Sequence, residues 1–175
     1  MSAVPEKVLL VDDHADNLYA LESALVPLGY PLARATDGDS ALKELLRGSV
    51  AVAVLDVMMP RVSGLDVLRY VRHIEQTRDI PVVLITAMGR ESNVADAALR
   101  LGAADLLLKP VDPWALRIKV KYLYETRRAQ YELRTQLRSM RQHPGEELTS
   151  EPTVRTPHQR TGNSTRLPDG ARGPL

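Results

Sequence analysis

The sequence predicts an α/β domain built on a parallel sheet. Short aliphatic runs alternate with amphipathic stretches five times, and four of the five runs end on a charged or hydroxyl side chain. The central runs VAVAVL (50–55) and PVVLIT (81–86) are apolar without interruption. Such alternation implies right-handed crossovers with helices on both faces of the sheet, and strands covered on both faces read as unbroken apolar segments.

KVLLV (7–11) is too short for a helix and rich in aliphatic side chains, so it is the first strand. Leu18, Leu21 and Leu25 then recur at helical spacing, giving a helix over 15–28 that Pro27 and Gly29 bring to a close. PLARA (31–35) is the second strand, DSALKELLR (39–47) the second helix and VAVAVL the third strand. GLDVLRYVRHIEQ (64–76) is helical, PVVLIT is the fourth strand, ESNVADAALRLG forms a helix ending at Gly102, and ADLLL (104–108) is the fifth strand.

The last helix begins near Pro113, a residue suited to the first helical turn, and nothing breaks it before about Gln142. At 1.5 Å per residue it is about 45 Å long, and the rest of such a domain covers about half of that. Residues 1–125 are therefore expected to form the domain and 126–142 a projecting extension. Residues 116, 123, 130 and 137 are Leu, Leu, Gln and Leu at seven-residue spacing, with Leu133 and Met140 on the neighbouring seam, a partial heptad that suggests dimerisation or a partner groove. Trp114 and the tyrosines at 122, 124 and 131 are expected to pack this helix. Beyond His143 the composition turns to Pro, Gly, Ser, Thr and Arg, so 143–175 is expected to be a disordered tail.

A chain of 175 residues suits one domain plus extras. Its 23 Lys and Arg against 22 Asp and Glu advertise neither a nucleic acid nor an anionic membrane as partner. The absence of Cys excludes disulfides, thiolate metal sites and a cysteine nucleophile. No leader pattern or membrane-length apolar run is present, so a cytoplasmic protein is expected.

In open parallel sheets, ligands bind outside the carboxyl ends of the strands. Those ends here carry Asp12 and Asp13, Asp56, Thr86, and Lys109 followed by Pro110. One Asp would serve as a turn or helix cap. Three carboxylates in one crevice repel one another unless a cation joins them, and Mg2+ takes oxygen ligands from one or two carboxylates while keeping waters. Asp12, Asp13 and Asp56 are thus the expected metal ligands, with Lys109 and Thr86 facing an incoming phosphoryl group. His14 and His73 are expected to be ordinary surface or helix residues.

The motifs VDD, LDVMMPRVSG, ITA and KP, in that order over residues 1–125, resemble the receiver domain of two-component response regulators. The resemblance implies a flavodoxin-like, doubly wound sheet of strand order 2-1-3-4-5. It further implies that Asp56 accepts a phosphoryl group from a sensor histidine kinase or phosphotransfer protein, and that Asp12, Asp13 and Asp56 hold Mg2+ with the Met58 carbonyl. Thr86 and Lys109 would bind phosphate oxygens and Ala87 would supply a backbone N–H. Pro110 would follow a cis peptide, and Gly64 would let the loop after Asp56 turn.

One departure stands out: Leu106 occupies the place where receivers usually carry an aromatic residue, which puts switching by aromatic rotation in doubt. Met58 and Met88 lie two residues after Asp56 and Thr86, where apolar side chains would impede an attacking water. The expected function is a stand-alone phosphorylation switch, not an enzyme with turnover, with output through a homodimer on the last helix or an unknown downstream protein. Another catalytic or DNA-binding domain would need more apolar-periodic sequence after residue 142. Two other readings remain. One is a degenerate receiver acting as a protein-binding scaffold. The other is a haloacid-dehalogenase-like phosphohydrolase, disfavoured because Met58 stands where that class has an acid/base Asp.

Overall fold

The structure is a computed structural model and describes residues 7–87 and 91–142. The tail expected at 143–175, and Met88, lie outside the described residues. Five strands, β1 (Lys7–Val11), β2 (Leu32–Ala35), β3 (Val50–Asp56), β4 (Val82–Ala87) and β5 (Asp105–Lys109), form one parallel sheet in the order β2-β1-β3-β4-β5. The helices are α1 (Ala15–Leu25), α2 (Gly38–Arg47), α3 (Gly64–His73), α4 (Glu91–Leu101) and α5 (Pro113–Gln142). The fold class and strand order are those expected.

The period of two along each strand divides the core between the faces of the sheet. Val8 and Leu10 face a cluster with Leu18, Leu21 and Leu25 of α1 and Leu116, Val120 and Tyr124 of α5. Leu9 and Val11 face the other cluster, with Ala41 and Leu45 of α2, Val67, Leu68 and Val71 of α3, and Ala98 of α4. All seven residues of β3 are buried, as the central strand of a doubly wound sheet requires.

Element ends differ from expectation where side chains capture the backbone. α1 stops at Leu25 and passes into a 3-10 turn, Val26–Leu28, because Pro27 has no N–H to continue the α-helical ladder. α3 stops at His73 instead of residue 76, where Ile74 turns extended. The Arg72 guanidinium donates to the carbonyl oxygens of Arg78, Ile80 and Gly102, and the Thr77 hydroxyl donates to that of Val71. These bonds satisfy carbonyls in an irregular turn that a longer α3 would have displaced. At its other end α3 begins with a capping box: Ser63 Oγ accepts from the Asp66 N–H, while Asp66 Oδ2 accepts from the Ser63 N–H.

α5 is a single unbroken helix, but its apolar positions serve two purposes. Leu116 is fully buried and Leu123 packs half-buried against the same core, so the first half of the heptad seam belongs to the domain interior. Burying a Leu of this kind contributes about 1.5–3 kcal/mol, more than an exposed seam position would. Leu133, Leu137 and Met140 stay exposed. Tyr124 packs as expected, its ring stacked on Tyr30 at 3.7 Å, whereas Trp114 and Tyr122 are exposed. The segment 126–142, expected to project, is tied back to the turn before β4: Arg134 Nη1 donates to Asp79 Oδ2 at 2.7 Å. No helix among the described residues is long and apolar enough to cross a membrane.

Candidate functional site

The sheet order reverses between β1 and β3, and there the helices leave for opposite faces, opening a crevice at the carboxyl ends of the strands. Asp12 follows β1, Asp56 ends β3, Thr86 lies in β4, and Lys109 ends β5 in register with Ala87. Asp12, Asp56 and Thr86 are buried. Lys109 Nζ stands between two of the carboxylates, 2.9 Å from Asp56 Oδ1 and 3.2 Å from Asp12 Oδ2.

Asp12 also does the local work that a turn demands. Its Oδ1 accepts the His14 backbone N–H at 2.9 Å and the Asn17 side-chain amide at 3.0 Å, fixing the entry into α1. Asn17 was not singled out in the sequence, although its position in the first turn of α1 is the signal that would have pointed to it. Asp13 is more open, and its Oδ1 lies 3.0 Å from His14 Nδ1. Ligand atoms of Asp12, Asp13 and His14 all lie within 4.8 Å of one another, and Lys109 links Asp56 to this group through Asp12. His14 is the exposed surface residue expected, and the turn sets its ring against the carboxylates of Asp12 and Asp13.

The electrostatics follow from burial. Desolvation pushes the Asp56 carboxyl above its ordinary range, Asp12 and Asp13 push the same way, and the Lys109 ammonium opposes them. For Lys109, burial works to lower the pKa, but its bonds and attraction to Asp56 and Asp12 outweigh that and leave it raised. The site thus holds its lysine charged and its central carboxylate reluctant to be an anion.

Neighbouring backbone holds Asp56 in place. A Cβ at residue 64 would collide with the Asp56 carbonyl oxygen and lie 3.0 Å from its carbon, so Gly64 permits close approach of α3. The Gly64 N–H also donates to the Val57 carbonyl at 3.1 Å, so this close packing goes with the turn of the loop after Asp56. Arg61 adopts a left-handed backbone with φ of 64°, unusual for a side chain of its size. The Lys109–Pro110 peptide is cis. Met58 is half-exposed, and Leu106 is half-buried in register with Leu84 and packed on the α2–α4 side of the core. A cavity of about 280 Å³ opens beside Asp12 and Lys109, walled by Leu21 and Ala24 of α1 and by Pro113 and Leu116 of α5.

Two features suit a cation with a phosphoryl group. The donor set of Asp12, Asp13 and Asp56 is the hard oxygen chemistry that Mg2+ selects. The Thr86 hydroxyl is buried with no hydrogen-bond partner, and buried hydroxyls rarely go unpaired in a finished site.

The response regulator receiver domain family matches residues 8–121. The chain belongs to this family. Among its relatives, the response regulator PleD of Caulobacter vibrioides is 40% identical over 118 residues, covering 67% of this chain and 26% of PleD. The probable transcriptional regulator ycf27 of Guillardia theta is 37% identical over 118 residues, covering 66% of this chain and 44% of the relative. The chain therefore spans less than half the length of these relatives. The receiver domain of AraT, a response regulator from Geobacillus stearothermophilus, superposes with a TM-score of 0.63 at 32% identity, covering 73% of this chain and 98% of that one. A receiver domain protein from Clostridium thermocellum gives a TM-score of 0.65 at 28% identity, covering 71% and 98%. Receivers are phosphorylation switches of two-component signalling, modified on an Asp beside an acidic Mg2+ site.

Proposed function

We propose that this receiver takes a phosphoryl group on Asp56 from a sensor histidine kinase or phosphotransfer protein. Its output would be a change in dimerisation or in protein binding along α5. The observation that carries the reading is the Lys109 ammonium held between Asp56 and Asp12, in a crevice whose buried Thr86 hydroxyl lacks a partner. An Asp56 carboxylate oxygen attacks phosphorus as the bond to the donor's imidazole nitrogen, or to an acetyl oxygen, breaks and the leaving group keeps the electron pair. Lys109 and Thr86 meet the oxygens on which negative charge rests.

Asp12 and Asp13 would hold Mg2+ with Asp56 and the Met58 carbonyl, supplying positive charge where the phosphate oxygens gather. The exposed Leu133, Leu137 and Met140 offer α5 an apolar seam for a second copy or another helix. Leu106, in place of an aromatic residue, favours a second reading in which the receiver is a phosphate-independent scaffold. Incubation with Mg2+ and acetyl phosphate separates the two. The switch predicts a phosphate mass gain in the wild type but not in Asp56→Asn, with a change in light scattering. An unmodified wild type would support the scaffold.

A further inference from the structure

We propose that the far half of α5 docks on a helix of another protein that carries Asp or Glu beside its apolar seam, and not on a second copy of this chain. The inference rests on α5 being the output element of the switch, and it names the partner. Past residue 125 the seam is Thr126, Gln130, Leu133, Leu137 and Met140, alternating by four and three residues as the a and d positions of a heptad do. Leu133, Leu137 and Met140 are 57, 48 and 71% exposed. In the same frame the e positions are 127, 134 and 141, and each of them is Arg. Side chains at e flank the seam and meet the partner helix, so their charge sets which helix can pair.

The acids of α5 do not answer this row. Glu125 and Glu132 stand at c positions on the outer side of the helix and pair with Lys121 and Arg128 one turn earlier. Among the described residues neither Arg127 nor Arg141 forms a salt bridge, and Arg127 Nε is buried with no hydrogen-bond partner. Arg134 shows what the row takes. It bonds Asp79 Oδ2 at 2.7 Å, and that bond, with attraction from Arg134, Arg127 and Arg78, holds the Asp79 carboxyl below its usual range. A second copy supplies no such acid. In a parallel pair e faces g of the previous heptad, so Arg127, Arg134 and Arg141 would meet Tyr122, Ala129 and Gln136. In an antiparallel pair Arg would face Arg, and like charges so opposed select against self-pairing. An anionic lipid surface would answer the charge but not the shape. Helices that lie on membranes carry a broad apolar face, whereas this one is the narrow stripe of a coiled coil, edged by the Arg row on one side and by Ala129 and Gln136 on the other.

The probe is a synthetic peptide of about three heptads with Leu at a and d and Glu at e and g, whose pairing with itself is opposed by Glu facing Glu. Fluorescence anisotropy of the labelled peptide with the full chain should show saturable binding that weakens as salt is added. A peptide with Lys in place of Glu should bind about tenfold more weakly or worse. Leu137→Asn should weaken the acidic peptide by about tenfold or more, because it sets an amide in the seam. Arg141→Glu should weaken it by about threefold or more and narrow the preference for Glu over Lys. Both side chains are exposed, so the fold is spared. Equal binding of the two peptides, or binding of neither, would overturn the proposal. A chain that sediments as a dimer, loses the dimer in Leu137→Asn and ignores the peptide would overturn it in favour of a second copy. Binding to vesicles of phosphatidylglycerol and phosphatidylcholine, with no binding of the peptide, would overturn it in favour of lipid. Labelling of Asp56 by acetyl phosphate is read on the same samples. Phosphate uptake without peptide binding removes this partner and keeps the phosphoacceptor, while peptide binding without uptake supports the docking face and sinks the phosphoacceptor.

Discussion

Lys109 Nζ lies 2.9 Å from Asp56 Oδ1, and the same ammonium reaches Asp12, so a single positive charge from β5 joins carboxylates from β3 and β1. Removing that charge leaves two buried acids facing each other. Lys109→Met is expected to destabilise the metal-free protein by about 1–3 kcal/mol at pH 7, below the full cost of breaking a buried pair because Lys109 is partly exposed. Urea denaturation at pH 7 checks this, and an unchanged midpoint would show that the contact is idle.

Asp56 should govern how stability depends on pH. Its folded pKa is raised, so the native state holds this proton more firmly than the unfolded chain does. The contribution to stability is therefore most favourable in acid and is lost as pH climbs from the unfolded value, about 3.9, through the higher folded one. Without metal, Asp56→Asn should be more stable than wild type at pH 7, and the gap should close at the acid end. Mg2+ at ten times its Kd should stabilise the wild type by about 1.4 kcal/mol. Thermal melts over pH with and without Mg2+ read both effects, and a gap that widened in acid would contradict the sign.

Gly64 should tolerate no side chain. A methyl group there meets the backbone of Asp56 and of Val57, neither of which can swing aside. Gly64→Ala is expected to cost about 1–3 kcal/mol by overpacking. It should also slow labelling of Asp56 by acetyl phosphate, because relief requires moving the acceptor. Normal labelling in a destabilised variant would confine the effect to folding.

Met58 is half-exposed beside the acceptor. If its apolar side chain impedes the attacking water, Met58→Asn should shorten the life of the phosphorylated protein three- to tenfold, a barrier change of about 1 kcal/mol. The decay of the phosphate mass gain measures this, and equal lifetimes would dismiss the idea.

The Arg134–Asp79 bond ties the far part of α5 to the turn before β4. Both side chains are largely exposed, so Arg134→Ala should change global stability by about 1 kcal/mol or less. Its local effect should be larger. Amide exchange beyond residue 126 is expected to quicken in the variant and in high salt, while the sheet stays protected. Identical exchange in variant and wild type would mean that the helix needs no tether.

The sequence by itself determined the alternation of strands and helices, because the periods of VAVAVL and of Leu18, Leu21 and Leu25 are local properties of the chain. It also determined the acidic and basic residues of the site, since these stand at strand ends that any parallel α/β sheet gathers on one edge. Tertiary structure alone decided which of them touch. Lys109 meets Asp12 and Asp56 because the strand order sets β1, β3, β4 and β5 side by side, while His14 meets Asp13 because of the shape of one turn. The ends of α3 and the fate of the α5 seam were likewise out of reach. Arg72 finds its carbonyls, and Leu116 its core, only across gaps in sequence that local pattern does not span. Periodicity reports which face of an element is apolar; what that face meets is fixed when the chain closes on itself.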